Sequence, residues 1–188
     1  MNTGLSSNTL IERDRDAHKT YFPAIVAGFA GGNLSSFVKW GTEIPFPPRE
    51  TGRVSPPYAI LEWLGLDVAN MTYVFTGHVI NYGVALVHQG FSVVFGLLYC
   101  LLATVFPSVT LGQGLAFGLV VTLVFHAALL PLGGWAPQVW DISAHEAGSE
   151  LFGHLLWAWT IEIVRRDMTD GLRGRPAWGG SPEVTGLR

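Results

Sequence analysis

Two long apolar runs fill the middle of the chain, and from Asp67 to Asp141 no Asp, Glu, Lys or Arg intervenes. The ionisable side chains of note in that stretch are His78, His88 and His126. A solvated face needs charges, whereas a helix crossing hydrocarbon needs about 20 apolar residues. The pattern predicts helices over 22–44, 77–106, 111–130 and 145–164. Pro45, Pro47 and Pro48 close the first, Pro107 the second and Pro131 the third, since proline cannot continue a helix. Arg165 and Arg166 close the fourth. The second is over-long and is expected to tilt or extend past the hydrocarbon. Residues 56–66, PPYAILEWLGL, read as a short helix at the membrane interface, with Trp63, Trp135 and Trp140 at one level.

The expected fold is therefore all-α: a four-helix transmembrane bundle with an interfacial helix in its first outer loop. Residues 21–168 form one domain between a polar cytoplasmic tail, 1–20, and a flexible tail, 169–188. Composition agrees, with 49% apolar and 13% charged residues against about 25% charged in soluble proteins. The single cysteine, Cys100, excludes an internal disulfide framework or a cysteine metal site. The N-terminus lacks a signal-peptide core, so the first apolar segment is expected to remain as an anchor. Arg13, Arg15 and Lys19 before the spans, and Arg165, Arg166, Arg173 and Arg175 after them, place both termini in the cytoplasm. Arg49 and Arg53 oppose this, but Glu50, Glu62 and Asp67 accompany them.

Each span carries a small or polar stripe. Gly28, Gly32 and Ser36 recur every fourth residue, a spacing that lets helices approach closely, within the bundle or between copies in a homo-oligomer. Lys39 and Glu43 continue near that face. His78, Asn81, Tyr82, Ala85, His88 and Ser92 follow helical spacing in the second; Gly114, Gly118, Thr122 and His126 in the third; Glu146, Glu150 and His154 in the fourth. At 1.5 Å per residue, Lys39, Glu43, His78, His126, Glu146 and Glu150 fall in the outer third. His88 and His154 fall about 15 Å deeper, forming the floor of an outward vestibule. Plainer roles compete: a structural Lys39–Glu43 pair, an interfacial His78, a His126 that caps carbonyls. Glu150 and His154 favour function, because ionisable groups inside a membrane mark pathways or relays. Glu162 with Arg165 and Arg166 reads as a cytoplasmic anchor, and LLWAWT as lipid-facing packing.

The segments SSFVKWGTEIPFPPR (35–49), PPYAILEWLGL, TGHVINYGV (76–84) and LFGHLLWAWTIEIVRRD (151–167) together resemble the YagU-like family of bacterial inner-membrane proteins, in order from Ala24 to Asp167. The resemblance implies an inner-membrane protein of undefined activity, loosely associated with survival in acid. Family members can carry a longer first loop with paired cysteines; residues 50–55 here are short and cysteine-free. Carried over, the positions to watch are Lys39, Glu43, His78, Glu150, His154 and Glu162.

The leading expectation is a non-enzymatic protein of the lipid bilayer in which buried His and Glu handle protons, sense pH or gate an ion path. No catalytic motif or HExxH helix occurs, no cofactor is predicted, and nothing points to nucleic acid. The alternatives are a haem held by His88 and His154, a zinc site from His126, Glu150 and His154, and a structural stress scaffold.

Overall fold

A computed structural model describes residues 7–50 and 52–172, with side chains described for 21–50 and 52–171. The chain is mostly helical. Helix α1 spans Ser7–Glu43, α2 Pro56–Trp63, α3 Tyr82–Val105, α4 Leu115–Leu132 and α5 Ala144–Leu172. A hairpin of β1 (Thr72–Phe75) and β2 (His78–Asn81) precedes α3. Helices α3 and α4 are each long and apolar enough to cross a membrane.

Several boundaries differ from the sequence reading. Helix α1 starts at Ser7, well before residue 22, and α5 continues to Leu172, so the helical register outlasts the apolar pattern at both ends. Of the tail expected to be flexible, residues 169–172 are helical and the rest lies outside the described residues. Residues 77–81 are not helical. Thr76 and Gly77 take positive φ (49° and 80°), the conformation of a tight hairpin turn, and β-branched neighbours pair across it. This small sheet corrects the all-α expectation. Asn81 caps α3 instead of lining it: its side chain accepts from the Val84 amide at 3.0 Å and donates to the Val68 carbonyl at 2.7 Å. Helix α4 passes through Pro131, because Leu123–Leu129 widens to π-helical turns just before the residue that lacks an amide hydrogen.

The four long helices alternate in direction. A Cβ on Gly28 would lie 2.7 Å from the Leu97 Cα, and one on Gly32 2.5 Å from the Ser92 carbonyl, so α1 runs antiparallel against α3 at backbone distance. Gly96 is the reciprocal notch, facing the Gly28 carbonyl. The stripe expected to suit a contact between copies is thus consumed inside the chain. Gly31 packs on Ile161 of α5, and Gly118 of α4 on the His154 carbonyl. Close approach of this kind holds helices together where lipid removes the hydrophobic driving force.

The centre is aromatic. Trp157 is 1% exposed, packs with Phe91, Phe95 and Phe117, and donates to the Ser92 hydroxyl at 3.1 Å. LLWAWT is therefore a core segment, not lipid-facing packing, with Trp159 alone of its two tryptophans turned outward. Phe22, Ile25, Phe29, Leu34 and Phe37 of α1 and Phe152 and Ile163 of α5 are exposed.

Candidate functional site

Antiparallel packing gathers the C-terminal end of α1, the N-terminal end of α5 and the π-helical stretch of α4 at one end of the bundle. There Glu150, only 6% exposed, is the hub. Its Oε2 accepts from Lys39 Nζ at 3.2 Å, and its Oε1 from Arg49 Nη1 at 3.4 Å. Lys39 also donates to Glu43 Oε1 at 2.8 Å, and Arg49 Nη2 reaches Glu43 Oε2 at 3.3 Å. The two cations and two carboxylates form a closed ring. Beside it Arg53 pairs with buried Glu146.

Both arginines lie on the segment between α1 and α2. A prolyl run (Pro45, Pro47, Pro48) ends α1, and Pro56 and Pro57 start α2. Between them the chain crosses the bundle end as a strap, fastened by these two arginines. Counted earlier only as loop charges weighing on orientation, they are the principal omission from the sequence reading. Their signal was present: a carboxylate buried in a helix needs a cation, and Lys39 alone cannot serve Glu43, Glu146 and Glu150.

Two histidines flank the hub. His126 Nε2 stands 3.7 Å and His154 Nδ1 3.6 Å from Glu150 Oε2, and their rings meet edge-on at 4.9 Å. His154 Nδ1 also lies 2.8 Å from the Glu150 carbonyl. The expected pair was His88 with His154. His88 instead stacks on Trp40 at 4.9 Å, with its Nε2 buried and unpartnered. Equal depth does not imply contact: the His88 ring turns to Trp40 of α1, whereas the His154 ring turns to His126 and Trp157. His88 and His154 nevertheless border one cavity of about 160 Å³, along with Lys39, Glu150 and Trp157. His78 sits exposed on β2, away from the cluster, because the hairpin removes it from the helical register.

His126, Glu150 and His154 each offer one donor atom within 4.8 Å of the others, the ligand types of a zinc site. Both Glu150 oxygens are already held by cations, and the Lys39 ammonium lies on the oxygen nearest both imidazoles. At the opposite end, buried Glu162 accepts from Tyr99 at 2.9 Å and from Arg165 at 2.6 and 2.8 Å. Arg166 is exposed there.

No solved structure matches the chain. Inner membrane protein YagU of Escherichia coli (strain K12) is 37% identical over 201 residues, covering 93% of this chain and 96% of the relative. The network residues Lys39, Glu43, Arg49, His126, Glu146, Glu150 and His154 all fall within residues 33–163, which match the family described as "Protein of unknown function (DUF1440)". On both grounds the chain belongs to the YagU-like, DUF1440 family.

Proposed function

We propose that the chain is a multi-pass inner-membrane protein whose Glu150 network responds to protons on the outer side and controls access to the cavity beneath the strap. Membrane residence is supported by the apolar α3 and α4 and by the name of the relative. Helices α1 and α5 carry more polar residues than α3 and α4, but Lys39, Glu43, Glu150 and Glu162 pair inside the bundle while Phe22, Phe29, Phe37, Phe152 and Ile163 face out. That is the pattern of spans in a four-helix bundle. With both basic termini in the cytoplasm, the strap end faces outward.

The observation that carries the reading is Glu150 held between two cations and two imidazoles. Lys39 and Glu43 face it from α1, Arg49 from the strap, His126 from α4 and His154 from α5; His88 borders the same cavity from α3. Arg49 makes the longer of the two hydrogen bonds to Glu150. Imidazolium formed at His126 or His154 competes for that carboxylate and loosens the strap. Protonation of Glu150 itself has the same result.

Flux of protons and small ions in proteoliposomes, scanned over external pH, tests this, together with acid survival of cells lacking their own copy. Glu150→Gln and His154→Gln are expected to remain inserted and folded but to lose the pH dependence, while Arg166→Gln behaves like the parent. Parent-like pH profiles in both folded variants would leave the network as structural glue.

A further inference from the structure

A second cavity, of about 520 Å³, lies on the α4–α5 side of the network. This is within the size range of small-molecule sites, roughly 300–1,000 Å³. Its body is apolar, walled by Leu119, Leu123, Ala127, Val139, Ile142 and Leu151. Its polar end is set by Arg49, Arg53, His126, Glu146, Glu150 and Trp135.

Two features of that end define what fits. First, the fixed charges cancel, with Arg49 against Glu150 and Arg53 against Glu146. A ligand with net charge would have to break a pair and strand its partner in a poorly solvated place. Second, besides Arg53 Nη2, which faces Glu146 Oε1 as an ion pair, the wall holds a donor and an acceptor without a hydrogen-bond partner. The Trp135 indole N–H is buried without a partner, and so is Glu146 Oε2, on a residue 6% exposed. Buried polar atoms are ordinarily hydrogen-bonded. A ligand that accepts from Trp135 and donates to Glu146 would answer both.

We infer that this cavity binds a small apolar molecule ending in an uncharged group that both donates and accepts hydrogen bonds, as a primary amide does. The inference rests on cavity shape and hydrogen-bond inventory, independently of any response to pH, and is tested at one fixed pH.

The test is calorimetric titration of the protein in nanodiscs at neutral pH, with empty nanodiscs subtracted. The probes share one apolar body: 4-phenylbutyramide, 4-phenylbutyrate and 4-phenylbutylammonium. The amide is expected to bind one per chain, at least about tenfold tighter than either ion. Trp135→Phe, which keeps the ring but not the N–H, is expected to weaken the amide by about tenfold. Ala147→Phe, which fills the chamber from α5, is expected to abolish binding; thermal melting checks that both variants fold. Equal or tighter binding of either ion, no binding of the amide, or amide binding unchanged in a folded Trp135→Phe would each overturn the inference.

Discussion

Lys39 shows how a single residue ties distant segments. It serves Glu43 one turn along its own helix and Glu150 across the bundle. Glu150 is the more deeply buried carboxylate, with its side chain 8% exposed against 22% for Glu43. Lys39→Met should therefore destabilise by about 3–5 kcal/mol, the cost of breaking a buried pair from one side. Adding Glu150→Gln should recover more of that loss than adding Glu43→Gln, because both carboxylates keep Arg49 but Glu43 has solvent that Glu150 lacks. Denaturation midpoints of the parent, the single and the two double variants decide it; equal recovery would mean that Lys39 does not discriminate between its partners. The glycines permit a sharper contrast. A Cβ on Gly32 would meet the Ser92 carbonyl at 2.5 Å, whereas Gly41 has nothing within 4 Å. Gly32→Ala should cost about 1–3 kcal/mol by overpacking. Gly41→Ala should be neutral or stabilising by up to about 1 kcal/mol. Equal melting temperatures would contradict the close α1–α3 contact.

Among the elements, the strap and the π-helical stretch position the chemistry, and neither was legible in the hydropathy pattern. What could be read were segments with one clear period: α2, the middle of each long helix, the glycine stripe, and Glu150 with His154 one turn apart. Depth counting placed His126, Glu146 and Glu150 at the right end of the bundle. It failed at His78, because a short uncharged hairpin of Thr, Tyr, Val and Ile has the composition of a span. It also paired His88 with the wrong neighbour, since axial height carries no information on which helices are adjacent. The roles of Arg49 and Arg53 depend on a loop crossing the bundle, which no periodicity encodes. The strap's own prediction concerns Arg49: Arg49→Gln should raise the mobility of the segment at neutral pH, whereas Glu50→Gln, on an exposed residue of the same segment, should not. Spin-label spectra from Val54→Cys would measure both, and identical spectra would mean that the ion pairs do not fasten the segment.

For the whole molecule, the two charged clusters lie at opposite ends of an aromatic core, and the strap end opens onto two cavities bordered by ionisable groups. Reporter fusions at the N-terminus, near Pro107 and after Asp167 should report cytoplasm, and those near Gly52 and Trp135 the outside. A periplasmic signal from the C-terminal fusion would turn the vestibule inward. The most direct measurement joins sidedness to chemistry: spin-label mobility at Val54→Cys in oriented vesicles, with pH lowered from about 7.5 to about 4 on one face at a time, across the range where imidazole and carboxylate titrate. Native Cys100 is buried and should not take the label. Mobility is expected to rise when the outer face is acidified and not when the inner face is, with Glu150→Gln mobile throughout. Mobility indifferent to outer pH, in a protein whose label sits on the strap, would contradict a proton-responsive network.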